Sequence, residues 1–445
     1  MKKIVLSMTG VLAAVAFAPE ASALPAFARQ TGMACNACHA QHFPVLNGFG
    51  RSFKASGYTM MGAQGKVEGE NLSLPDTLNG AVLLKYRYQK DNTTGVAGAG
   101  VTAPTTNSNG MWQMGDEFSL FFGGRIAEAE NLRIGFLMEN NVANVGGAGN
   151  LVAGLRVPIV YDAGPVKISA IPFTTDTLGV TYSFELSSGG LARANRWSEH
   201  RRETSAVQYN ADQGGGSAIL GGAGVGAAAS GYGAGAASGH AFVVQHELFF
   251  VNYSLWSSSF APGANGGAVG STNYGQRYIR VAATPSFAGF DFVAGAGKES
   301  GTSYGNLAGA QVEANQTFVD VQAQGEIAGL ETGFWFQNAN APVCGAAILA
   351  ANCVHNTGLF TRKATTLGAE VGVIPHALSV GLAYRKADNG GARGTEGDNA
   401  INVSAVYELF QNVGLHADYA KYSGSAHTGV NALTNQYTLM LEAAW

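Results

Sequence analysis

The chain has 445 residues, a formal net charge of −4, 13% charged side chains, 62 glycines and 10% aromatic residues. A mildly acidic balance excludes a broad basic field for nucleic acid, and an ordinary soluble domain would carry roughly 25% charge. Beyond residue 23 no apolar run reaches the ~18 residues that a membrane helix needs. A charge-poor, Gly- and aromatic-rich chain without spanning helices fits a transmembrane barrel better than a soluble all-β protein.

Residues 1–23 read as a secretory signal peptide. Met1-Lys2-Lys3 is the positive start, Ile4 to Ala18 the short apolar run, and Ala21-Ser22-Ala23 the small-residue cleavage site. Next comes Cys35-Asn36-Ala37-Cys38-His39, the C-x-x-C-H signature of c-type haem attachment. Two thiols at this spacing meet the two vinyl groups of one porphyrin, and the adjacent imidazole then serves as an axial ligand. A zinc site would need two more ligands nearby, and a dithiol redox site would need a βαβ context. Neither stands here. The motif predicts one covalent haem, on Cys35 and Cys38, with His39 as proximal iron ligand.

From residue 79 onward the pattern changes to strict alternation. Val82, Leu84, Tyr86 and Tyr88 share one face of a strand, and Leu83, Lys85, Arg87 and Gln89 the other. A period of two means strands with one apolar and one polar face, and ~10-residue alternating strands are the mark of outer-membrane barrels. The spacing predicts sixteen: 82–88, 118–126, 131–139, 154–161, 166–172, 178–186, 242–251, 277–283, 290–296, 316–323, 330–337, 367–373, 378–385, 401–409, 413–421 and 437–445. Such a barrel is wide enough for an aqueous lumen. Short links alternate with long Gly-, Ala-, Ser- and Asn-rich loops, as periplasmic turns alternate with external loops. On this count the stretch 187–239 falls on the periplasmic side, where it either folds into the lumen or hides a miscounted strand. The polar faces put Lys85, Arg87, Arg125, Arg133, Glu139, Glu185, Arg385, Glu408, His416 and Asp418 in the lumen. Cys344 and Cys353 share one long loop and, in an oxidising compartment, read as a disulfide. His355, His427 and Asp388 fall in predicted external loops.

The stretch "ALPAFARQTGMACNACHAQHFPVLNGFGRSFKASGYTM", followed by a barrel of about sixteen strands, resembles the fused monohaem cytochrome–porins of the outer membrane, best known as the iron(II) oxidases of iron-oxidising bacteria. The specific match covers residues 23–60; the barrel matches in architecture alone. The resemblance implies a signal peptide at 1–23, a cytochrome plug at 24–78 and a porin-like barrel at 79–445. A plug this short cannot bury a haem unaided, so a helix from about His42 to Ala55, carrying Phe43, Leu46, Phe49 and Phe53, would cover one face and the lumen the rest. Met60, with Met61 as the alternative, lies where a distal ligand could double back, and thioether ligation would raise the potential; equally, both could simply pack against the porphyrin or the lumen. Arg29 and Arg51 could pair with propionates or simply be solvated.

The expected function is oxidation of extracellular Fe(II) through one haem, with the electron passed to a periplasmic cytochrome across the outer-membrane bilayer. No catalytic side chain beyond the haem ligands is implied, and an insoluble ferric product is a reason to keep the oxidation at the cell surface. Two alternatives stand beside it: a conduit exporting electrons to an external acceptor, and a passive porin with a structural haem plug.

Overall fold

The structure is a computed structural model and describes residues 25–62, 64–70, 72–94, 108–141, 154–175, 198–211, 237–257, 274–304, 311–348 and 353–445. The signal segment, the expected strand at 178–186 and Glu185 lie outside the described residues.

In hydrocarbon every backbone N–H and C=O must be bonded within the protein, so alternating strands persist there only as a closed ring. Such a ring forms. A small hairpin, β1 (Lys66–Gly69) and β2 (Leu72–Pro75), precedes it. The ring then runs through β3 (Gly80–Asp91), β4 (Met111–Glu128), β5 (Leu132–Asn141), β6 (Gly154–Arg156), β7 (Ile159–Asp162), β8 (Val166–Thr175), β9 (Ala237–His246) and β10 (Phe249–Ser257). It continues with β11 (Gln276–Ala283), β12 (Ser286–Phe287), β13 (Phe290–Tyr304), β14 (Gln311–Glu313), β15 (Gln316–Ile327), β16 (Leu330–Ala341) and β17 (Arg362–Ile374). The last four are β18 (Leu378–Asp388), β19 (Asn399–Phe410), β20 (Val413–Ser423) and β21 (Asn435–Ala444). β6 with β7, β11 with β12 and β14 with β15 are single interrupted strands, which makes a closed antiparallel ring of 16. The first two breaks fall at Pro158 and Pro285, which have no N–H for the ladder. β21 closes on β3, and the backbones of Val82 and Trp445 exchange hydrogen bonds of 2.8 and 3.0 Å.

The burial pattern is inverted relative to a soluble protein. Leu367 and Leu382 are 53% and 57% exposed on the outer face, while Asn402 and Glu370 are 0% and 1% exposed inside. An apolar exterior around a polar interior is a lipid-facing barrel; the protein spans the outer membrane. Every short turn lies at one end, which is periplasmic by that rule, and every longer connection at the other.

Two strand expectations need correcting. Residues 242–251 hold two strands, β9 and β10, joined by Glu247 and Leu248. The turn carries no Gly, Pro or Asn, so nothing in the sequence punctuates it. β8 pairs directly with β9, which moves the connection between them to the long-loop end and not to the periplasmic side. Its described part, 198–211, enters the lumen through two short helices, α3 (Arg201–Thr204) and α4 (Ala206–Ala211). Tyr209 lies under the guanidinium groups of Arg362 and Arg385, 4.0 and 4.4 Å from its ring, and its hydroxyl donates to Asp398 at 2.8 Å.

The N-terminal plug sits in the opposite, short-turn mouth. Gln41 N–H donates to Glu331 at 3.0 Å, Arg51 stands 3.8 Å from Asp291, and Arg51 also donates to Gln324. Its helices are α1 (Pro25–Thr31) and α2 (Gly48–Ala55). The expected helix from His42 is therefore shorter. Pro44 lacks an N–H, and Asn47 begins α2 by accepting from the Gly50 N–H at 2.9 Å. Phe49 consequently turns outward at 38% exposure, while Phe43 and Phe53 stay buried.

Candidate functional site

One turn of 3₁₀ helix, Cys35–Ala37, gathers the attachment motif. The N–H groups of Cys38 and His39 both donate to Cys35 O, at 3.1 and 3.0 Å. The chain then doubles back, with Ala40 bonded to Val45 and Asn47 to Cys38 through their backbones at 2.8 and 3.0 Å. Asn47 Nδ2 also donates to the carbonyls of Asn36 and Ala37, so one side chain caps α2 and ties it to the motif. Gly50 makes the contact close: a Cβ there would collide with the Cys38 carbonyl.

Cys35, Cys38 and His39 edge an apolar cavity with about 990 Å³ of empty space including its open mouth. The plug contributes Phe27, Met33, Phe43, Phe53 and Tyr58. Phe27 stacks on Tyr58 and meets Phe53 edge-on, each with ring centroids 5.1 Å apart. The barrel wall contributes Leu83, Phe121 and Leu137, together with Arg156. Those three apolar side chains stand on the otherwise polar lumen face, out of phase with lipid-facing neighbours. Gly135 lets the wall meet the plug, since a Cβ there would strike the Gly57 carbonyl.

The two plug histidines differ in charge. Burial pushes His39 down to about 4, against the pull of the Val45 and Pro44 carbonyls, which keeps its imidazole neutral and able to donate a lone pair. Burial would lower His42 as well, but Glu370, 2.9 Å from its Nε2, and Glu408 outweigh it and raise it to about 9. His42 thus ties the plug to the wall. Neither Cys35 nor Cys38 is in a disulfide. Two thiols and a neutral imidazole at one edge of an apolar cavity fit a c-type haem.

The other expected residues are placed as follows. Met60 and Met61 are not among the cavity walls: Gln30 Nε2 bonds the carbonyls of Tyr58 and Met60, and the Met60 side chain is left 38% exposed. Met33, equally 38% exposed, is in the wall, and nothing in the sequence singles it out. Arg29 donates to Gly80 O and Arg51 to Leu46 O at 3.2 Å; neither lines the cavity, whereas Arg156 and Lys54 do. Lys85, Arg125, Glu139, Arg385, Glu408, His416 and Asp418 are buried in the lumen as expected. Arg133 is instead at the rim, 3.2 Å from Asp162. Cys344 and Cys353 are bonded, with Cα atoms 6.1 Å apart. His355 is buried, 2.6 Å from Glu299, and His427 stands 2.9 Å from Asp398. Among the described residues no three His, Cys, Asp or Glu side chains close around a bare metal ion.

No family model and no curated protein matches the sequence. Among solved structures, a mutant of the Rh. blastica porin is similar at 11% identity and a TM-score of 0.46, over 83% of this chain and 100% of that one. The outer membrane channel DcaP of Acinetobacter baumannii is similar at 10% identity and a TM-score of 0.45, over 83% of this chain and 97% of that one. The architecture described above rests on the strand pairings themselves.

Proposed function

We propose that this porin-like barrel is an outer-membrane electron-transfer protein that takes electrons from extracellular Fe(II) through one c-type haem and delivers them to a periplasmic cytochrome. The observation that carries the reading is the shared cavity: the attachment motif supplies one edge and the barrel wall the other, so plug and porin make one site. Bound there, the haem would supply a one-electron centre. Cys35 and Cys38 would hold it covalently and His39 would ligate its iron. Met33 lines the cavity and is a candidate for the sixth position beside Met60. Phe27, Leu83, Phe121 and Leu137 give the cavity apolar walls that would shield a bound haem from water. The plug lies at the short-turn mouth, on the side of a periplasmic acceptor, and not at the cell surface; a ferrous ion would therefore travel down the polar lumen past 198–211. A passive channel would need no thiol pair and neutral imidazole beside an apolar cavity.

The test uses the haem-loaded protein in liposomes with its long loops outward. Added Fe(II) should shift the visible spectrum to the reduced form faster than it does for a soluble monohaem cytochrome of similar potential. Met33→Ala or Met60→Ala, whichever removes the sixth ligand, should lower the potential and slow the reaction. If Fe(II) leaves the haem oxidised and a periplasmic reductant reduces it, outward export is the better account.

A further inference from the structure

The lumen between the plug and the 198–211 segment is crowded with carboxylates, and from it we infer a second site: a subsite for a hydrated divalent cation over Gly414, formed by Glu408 of β19, His416 of β20 and Glu442 of β21.

β20 runs between the other two strands, and Gly414 is the register partner of both Glu408 and Glu442. With no side chain at 414, the space above its backbone is common to all three groups. A methyl built there would lie 3.4 Å from His416 Nε2 and 3.6 Å from each Glu408 carboxylate oxygen. His416 Nε2 is 3.8 Å from Glu442 Oε1. The donors converge without closing on one another, which suits an ion that keeps part of its water shell. A mixed imidazole and carboxylate set suits first-row divalent ions.

Two further observations point to a cation. Glu408 is 5% exposed and its Oε2 has no hydrogen-bond partner among the described residues; the same holds for Oε2 of Glu370, which is 1% exposed. A buried carboxylate is held at a cost unless something positive answers it. Glu117, Glu199 and Glu442 share Lys85, at 2.7, 3.7 and 3.5 Å, and Arg87 meets Glu199 at 2.9 Å. His42 answers Glu370. Glu408 feels that imidazolium more weakly and has no salt bridge of its own among the described residues. His42 also borders the site, its ring centroid 5.9 Å from that of His416, so the cation would sit beside the plug residue that follows the attachment motif.

The identity of the natural cation rests on the ferrous reading; the binding of a redox-silent ion does not. Mn(II) is the probe, added to the purified haem-loaded protein in detergent, with the loss of its free-ion EPR signal reporting binding. The wild type should bind one Mn(II), and Glu408→Gln and Gly414→Ala should each weaken it at least tenfold. Glu70→Gln, in the exposed periplasmic hairpin, should change nothing. Gly414→Ala adds one methyl in ordinary contact distance, so it decides the matter if Glu408→Gln does not assemble. Absence of stoichiometric binding by the wild type, or equal binding by all variants, would overturn the site. Reduction by Fe(II) is followed on the same samples. Mn(II) binding without reduction keeps the site and removes the ferrous reading, whereas reduction with unaltered Mn(II) binding does the reverse.

Discussion

Two histidines three positions apart are given opposite charge by what surrounds them. His39 is buried among apolar groups and stays neutral, while His42 faces Glu370 and Glu408 and stays charged. C-x-x-C-H spacing made the first legible in the sequence; the partner of the second comes from β17, more than 300 residues away, and no local pattern announces it. The pair predicts how the seating of the plug depends on pH. His42 rises from an ordinary 6.5 to about 9 on docking, so its contribution is complete below pH 6.5 and is lost as pH climbs through 9. His39, held down at about 4, opposes this slope near pH 6.5 and adds none once pH passes roughly 7.5. The His42 shift corresponds to stabilisation on the order of 3 kcal/mol. Urea unfolding of the plug, followed by haem absorbance, should show a falling midpoint between those pH values. His42→Gln should flatten the curve, and an equally steep curve in the variant would remove His42 from the seat.

At the scale of elements, the cavity wall is a phase error in three strands. β3, β4 and β5 alternate as lipid-facing strands do, yet Leu83, Phe121 and Leu137 point inward. Leu83 and Leu137 could be seen on the polar faces of their strands from the sequence alone, and read as exceptions they mark where something apolar docks. The helix of the plug was less legible. An apolar series from Phe43 to Phe53 suggested one long helix, but Pro44 and the Asn47 cap hold the start back to Gly48. Leu137→Asp would bury an unpaired carboxylate in the cavity, a change that costs several kcal/mol or forces protonation. It should lower haem content in the purified protein at least severalfold while leaving the barrel folded by circular dichroism. Full haem occupancy would show that β5 is not part of the site.

For the whole molecule, the alternation and the loop lengths were enough to announce a barrel of sixteen strands. The spacing predicts sixteen while merging one hairpin, β9 and β10, into a single strand; its expected strand at 178–186 lies outside the described residues. The error had a physical source, a two-residue turn of Glu247 and Leu248 with no turn-forming residue, and its consequence was to misplace the connection that enters the lumen. The inverted burial gives a further prediction. Leu382→Arg, on the outer face of β18, would be innocuous in water but should cost ~2–4 kcal/mol near the bilayer midplane. Denaturant unfolding in lipid bilayers measures it, and no loss of stability would contradict a lipid-facing β18.

The proposed function turns on one haem bonded to the plug and seated against the barrel wall, and peptide mass spectrometry of the purified full-length protein tests it most directly. A single proteolytic peptide containing Cys35 and Cys38 should carry the mass of one haem, bonded through both sulfurs and retained after denaturation. The same peptide recovered with two alkylatable thiols, from protein matured in a host that attaches c-type haem, would contradict the account and leave a plugged porin.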